Sequence, residues 1–199
     1  MKKIIGVSGK AGSGKSYIAT YISQKTGIKL VKLDFLVAEV VNKPLLKKRL
    51  QKRIKMEIPE AHKDIQLFPL WRNLDRDFSK FEHWYIRRLL NKKVKKLVKK
   101  SKESIIIDFL ALPMFKVIKK FDAVYLVRSD NDLRLEKICK RDDMDMGSSL
   151  NVEKYLQPYY AFNDAFTFTD VIENDYERIP EKVEDIIRDL VGETTDTIK

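Results

Sequence analysis

Apolar residues fall along this chain in two rhythms, one short and continuous, the other spaced three and four apart. The continuous rhythm picks out five segments: Lys3–Ser8, Lys29–Leu33, Ser104–Asp108, Ala123–Val127 and Asp170–Glu173. Each is brief and apolar or β-branched, the signature of a strand. An unbroken run such as Ile105-Ile106-Ile107 suits a strand covered on both faces, as parallel sheets are. The helical rhythm fills the intervals. Ile18, Ala19 and Ile22 share one face, Val94, Leu97 and Val98 another, and Leu133–Arg141 and Pro180–Val191 read as helices. Phe35–Ser101 reads as mostly helical, interrupted around Pro44, Pro59 and Pro69. Strands alternating with helices predict right-handed crossovers and a parallel sheet, so the class is α/β. In such sheets ligands collect beyond the carboxyl ends of the strands. Four of the five strands end there near polar groups: Ser8, Asp34, Asp108 and Arg128.

Composition bounds this picture. A chain of 199 residues suits one well-packed domain and is short for two. Hydrophobic content of 44% supports a core, and charged content of 35% predicts a soluble surface. No apolar run approaches membrane-spanning length, and the chain enters a strand almost at once, which predicts no signal peptide. A lone cysteine, Cys139, forms no internal disulfide, and the expected setting is the reducing cytoplasm. The net charge of +11 fits either nucleic acid or a polyphosphate substrate. Its densest run, residues 92–102, carries Val94, Leu97 and Val98 at helical spacing and no aromatic residue. It therefore reads as the solvated face of an amphipathic helix, and a nucleic-acid partner is not expected from it.

Chemistry concentrates first in Gly9-Lys10-Ala11-Gly12-Ser13-Gly14-Lys15-Ser16, which satisfies the phosphate-binding P-loop pattern at every required position. A predicted strand precedes it and a predicted helix follows, the context that pattern needs. Its glycines let the backbone turn N–H groups onto phosphate oxygens, and the following helix adds its dipole. Lys15 is expected to reach the β- and γ-phosphates, and the Ser16 hydroxyl to ligate Mg²⁺. Gly9, Ala11, Gly12, Ser13, Gly14 and Tyr17 complete the expected triphosphate cradle, so the chain is predicted to bind a nucleoside triphosphate.

Two carboxylates stand at strand ends. Asp34 follows the second strand, where an acid either activates an attacking hydroxyl or caps the helix beginning at Phe35. Asp108 ends the third, in the hydrophobic-then-acid pattern of a magnesium ligand beside a P-loop. Arg134, Lys137 and Arg141 lie at i, i+3 and i+7 and so on one helical face, where three cations in line would clamp a polyphosphate. Arg141 is the strongest of the three for transition-state charge. Asp142, Asp143 and Asp145 read as a lid hinge rather than a metal cluster.

The order of these motifs resembles the dephospho-CoA kinase family. The resemblance rests on the P-loop, on Gly27–Asp34 with Ala38-Glu39-Val40-Val41, and on His83-Trp84-Tyr85-Ile86-Arg87. It continues through Ile105–Asp108 with Pro113-Met114-Phe115, Lys140-Arg141-Asp142 and Val171-Ile172-Glu173-Asn174, spanning nearly the whole chain. It implies a three-layer P-loop kinase-like fold with a five-stranded parallel sheet. The core would comprise 1–34, 102–130 and 169–191, with a helical substrate-binding insertion at 35–101 and a lid at 131–168. It further implies ATP and Mg²⁺ as cofactors and Asp34 as base toward the ribose 3′-hydroxyl of dephospho-CoA. By the same resemblance His83, Arg87 and Lys137 become substrate contacts and Asn174 a nucleotide contact. The chain departs from the family pattern at Tyr17, Lys32, Trp84 and Lys137, where threonine, aspartate, proline and arginine are usual. Alternation along the second strand would set Lys32 on the same face as Asp34. A deoxynucleoside or nucleotide kinase shares these features, and a degenerate P-loop module binding nucleic acid is the reading from another class. A GTPase is disfavoured, because no Asn-Lys-x-Asp motif occurs.

Overall fold

The structure, a computed structural model, describes residues 2–54 and 80–192. Its centre is a five-stranded, wholly parallel sheet in the order β2-β3-β1-β4-β5. The strands are β1 (Ile4–Ser8), β2 (Lys29–Lys32), β3 (Ile105–Asp108), β4 (Ala123–Arg128) and β5 (Asp170–Glu173). All five predicted strands are present, the last with the expected bounds and the other four with one end shifted by a residue. The Lys3 N–H goes to the Ser104 hydroxyl at 2.9 Å, so both neighbouring strands start one residue later than expected. β2 ends at Lys32 because Leu33 already carries the turn into the next helix, although its N–H still donates to the Asp108 carbonyl at 3.0 Å.

Helices cover both faces. α1 (Lys15–Thr26) and α7 (Glu181–Val191) pack Ile18, Ala19, Ile22, Val183 and Ile186 against Ile5, Val7, Ile106 and Val127. The other face takes α2 (Asp34–Val41), α3 (Pro44–Ile54) and α4 (Lys80–Lys100), two short 3-10 segments at Leu112–Met114 and Lys116–Lys120, and then α5 (Asn131–Asp142) and α6 (Met146–Asp164). Its core includes Ile105 and Ile107 from the sheet, with Leu90, Val94, Phe115, Ile138, Leu156 and Tyr160 above them. Each large apolar side chain buried this way is worth about 1.5–3 kcal/mol. The layering is helix, sheet, helix, as the alternating pattern requires.

One expectation needs correction. Asp34 is not the cap of a helix beginning at Phe35: it is itself the first helical residue, and the Leu33 carbonyl accepts from the N–H groups of Leu36 and Val37 at 2.9 and 3.1 Å. Beyond Asp145 the chain forms the 19-residue helix α6, which contains Pro158. The acidic cluster joins the two helices. Asp143 closes α5 in the left-handed conformation at φ 48°, and the Asp145 carboxylate caps α6 by accepting from the Ser148 N–H at 2.9 Å. Pro44 opens α3, while Pro59 and Pro69 lie outside the described residues. No described helix is long and apolar enough to cross a membrane.

Candidate phosphoryl-transfer site

The P-loop leaves β1 at the carboxyl edge of the sheet and enters α1 through Gly14. Gly12 and Gly14 have φ of 78° and 83°, in the left-handed region that side chains disfavour. A Cβ at Gly12 would come within 2.6 Å of the Arg134 carbonyl oxygen, so glycine is also required there for space. Three successive carbonyls of the loop are held by side chains. Arg134 Nη1 donates to Ala11 at 2.9 Å, the Tyr176 hydroxyl to Gly12, and Asn174 Nδ2 to Ser13 at 2.9 Å. Because the peptide plane sets C=O and the next N–H in opposite directions, the N–H groups of Gly12 and Gly14 are turned away from those side chains. The first turn of α1 carries no acid. A triphosphate fits this cradle of loop N–H groups, lysine and helix N-terminus.

Asp108 ends β3, opposite Val7 of β1 and Lys32 of β2 in the parallel register. It is 2% exposed, and neither carboxylate oxygen has a hydrogen-bond partner. A buried polar group is normally satisfied, and an orphaned carboxylate asks for a cation. Mg²⁺ fits: it keeps water and phosphate ligands and takes only one or two groups from the protein. The half-buried Ser16 hydroxyl on α1 is the other candidate ligand. Among the described residues no cluster of three or more His, Cys, Asp or Glu offers a competing metal cage.

Asp34 opens α2 where β2 ends, beside this pair. Crowding by protein raises its carboxyl pKa most; Lys15 opposes the shift, Asp108 reinforces it, and Arg141 and Lys32 oppose it further. The residue itself is exposed, so water still reaches it in the open cleft and tempers the shift. Lys32 acts on Asp34, but not through strand alternation, since the strand stops at Lys32.

The three cations of α5 do not act as one clamp. Arg134 is 2% exposed and fixed by a bidentate pair to Glu153 of α6, both contacts 2.8 Å, as well as by Ala11. Its role is to brace the loop. Lys137 lies over the Tyr176 ring at 5.1 Å, and only Arg141 acts on Asp34. Arg141 also grips Asp142, with Nε to Oδ1 at 2.8 Å and Nη2 to Oδ2 at 2.6 Å. Helical spacing put the three on one face, but the different neighbours of each turn gave them different partners.

Several predicted residues stand at the margins. Asn174 is buried, and its amide is committed to the loop carbonyl of Ser13. Tyr17 is 64% exposed on α1. Arg87 of α4 lies over the Phe162 ring of α6 at 5.7 Å. The side chain of His83 lies outside the described residues.

Solved structures share this architecture. The protein TT1252 from Thermus thermophilus matches with a TM-score of 0.63 at 19% identity, over 98% of each chain. Shikimate kinase from Acinetobacter baumannii, in complex with shikimate, gives 0.57 at 11% identity over 100% of this chain and 97% of its own. Dephospho-CoA kinase from Campylobacter jejuni gives 0.55 at 16% identity over 96% and 98%. The fold is that of the P-loop kinases. No family model and no curated protein matches the sequence.

The P-loop kinase fold here carries supports that sequence reasoning missed. The Ala11 N–H donates to the Tyr160 hydroxyl of α6 at 3.1 Å, and Lys10 lies over the same ring at 5.4 Å. Burial pushes the Tyr160 phenol well above its ordinary pKa, so it stays neutral. Tyr176, in the left-handed conformation at φ 67°, gives its proton to Gly12 and leaves the Ser129 hydroxyl, 2.9 Å away, as donor to its oxygen. Ser8 meets Asn163 at 2.9 Å and so ties the end of β1 to α6. These partners lie more than a hundred residues from the loop, and no local pattern marks them.

Proposed function

We propose that this chain is an ATP-dependent kinase that phosphorylates a hydroxyl of a small-molecule acceptor, and that the acceptor is dephospho-CoA. One observation carries the reading: Asp34 shares its electrostatic surroundings with the loop lysine Lys15, the orphaned Asp108 and the lid residue Arg141. Lys15 and the loop N–H groups hold the donor phosphates. Mg²⁺, held by Asp108 and Ser16, would neutralise phosphate charge when bound. Asp34 takes the proton from the acceptor hydroxyl as that oxygen bonds to the γ-phosphorus, and the bond from phosphorus to the β-phosphate oxygen breaks to release ADP. Arg141 stabilises charge on the transferring group. The acceptor rests on the resemblance at Asp34, at His83 to Arg87 and at Val171 to Asn174.

A transfer assay with labelled ATP and magnesium, run over dephospho-CoA, shikimate, gluconate, nucleosides and nucleoside monophosphates, tests both levels. The expected result is label in CoA and none with Lys15→Ala, which should remain folded. Transfer to another acceptor alone would retire the dephospho-CoA reading and keep the kinase. Undiminished turnover by Lys15→Ala would retire the P-loop as donor site.

A further inference from the structure

We propose that the groove between α4 and the 3-10 segment Lys116–Lys120 binds single-stranded nucleic acid, the phosphate backbone lying along a cationic stripe and a base resting against Trp84. Arg88, Lys92, Lys95 and Lys99 fall at i, i+4, i+7 and i+11, so they form one stripe on α4, with Trp84 a turn ahead of it. The opposite face of the helix is anchored in the core by Ile86, Leu90, Val94 and Val98, which fixes the stripe outward. From Trp84 to Lys99 the stripe runs about 22 Å at 1.5 Å per residue. Lys116 and Lys120 form the other wall, and the Lys116 N–H donates to Asn91 Oδ1 at 3.0 Å, setting the distance between the walls. The groove has a volume of about 640 Å³.

Charge identifies what the groove takes. No acidic residue lines it among the described residues. Glu39 of α2 pairs with Lys93 of α4, which does not line the groove. Arg87 also lines the groove but lies over the Phe162 ring; the other six cations face one another across a concave surface and repel unless an anion lies between them. Trp84 is 46% exposed, with the Arg88 guanidinium over its ring at 5.3 Å. A cationic channel with an aromatic platform is the combination that holds a single strand by backbone and base together. A concave channel of this length suits a strand better than a flat anionic membrane. The run 92–102 shows no aromatic in sequence; the fold supplies Trp84 from upstream and two lysines from another segment. α4 leads into the start of β3, so the groove runs toward the edge of the sheet opposite the P-loop.

Fluorescence anisotropy of a labelled 20-nucleotide oligouridylate with the full chain tests this. Binding should weaken with salt at a logarithmic slope of about −4, the value for six cations on a single strand. The triple variant Lys92→Glu, Lys95→Glu, Lys99→Glu should lose at least tenfold in affinity at fixed salt and about two units of that slope. The neutral trio Lys92→Gln, Lys95→Gln, Lys99→Gln should fall between it and the parent. Trp84→Ala should lose about tenfold. Phosphoryl transfer should be unchanged in the lysine variants. Equal loss from reversing Lys29, Lys43 and Lys154, which lie elsewhere on the surface, would make binding a matter of net charge and overturn the proposal. Displacement of the oligonucleotide by MgATP would move binding into the cleft and overturn it too. So would tighter, competing binding to phosphatidylserine vesicles, or affinity indifferent to Trp84.

Discussion

At the scale of single residues, Asp34 carries the most consequence. Its raised pKa means that the base form is lost at a higher pH than for an ordinary aspartate near 3.9, so the acid limb of kcat/KM should lie above that value. The sign for stability is opposite to that of a salt-bridged aspartate. An acid whose folded pKa exceeds its unfolded pKa stabilises only below the unfolded value, and that contribution is lost as pH rises through the folded one. Ionised Asp34 is therefore a net cost at neutral pH. Asp34→Asn should melt at the same temperature as the parent or higher while turnover falls by about 10²–10⁴. A parallel fall of Tm and activity would show a structural residue instead. Lys15 and Ser16 stand out in sequence through the P-loop pattern, and Asp34 and Asp108 as acids at strand ends, because both are local signals. Arg134 was misread because spacing gives a face, not its partner.

At the scale of elements, the strands and amphipathic helices were readable from period and polarity, since the sheet is covered on both faces and α4 on one. α6 was not, because an internal proline, Pro158, and a mixed polar sequence hide its periodicity. Yet α6 is what secures the loop from above, through Glu153 and Tyr160. Glu153→Gln would leave the buried Arg134 guanidinium without its countercharge, and breaking such a pair typically costs about 3–5 kcal/mol. Urea unfolding should register that loss, and KM for ATP should rise because the Ala11 carbonyl loses a firmly held donor. Replacement that leaves both quantities unchanged would remove Glu153 from the account.

At the scale of the whole molecule, the strand order puts β1 at the centre of the sheet with β3 and β4 on either side. That arrangement brings the acids of two crossovers to one edge beside the P-loop. Alternation in the sequence predicted parallel strands but could not order them, because order depends on which edges pair. The charge of +11 was equally ambiguous in sequence. In three dimensions, cations gather both in the cleft around Lys15, Lys32 and Arg141 and in the groove along α4.

The bracing of the loop carbonyls also sets an order of events during synthesis. The loop emerges from the ribosome before its supports at Arg134, Tyr160, Asn174 and Tyr176, which are 123 to 164 residues further on. Domains fold as units during elongation, so a motif made before its supports becomes competent only after them. Nascent chains arrested at increasing lengths should not cross-link an azido-ATP analogue until Tyr176 has cleared the exit tunnel. Labelling of chains that still lack residues 174–176 would mean that the loop shapes itself.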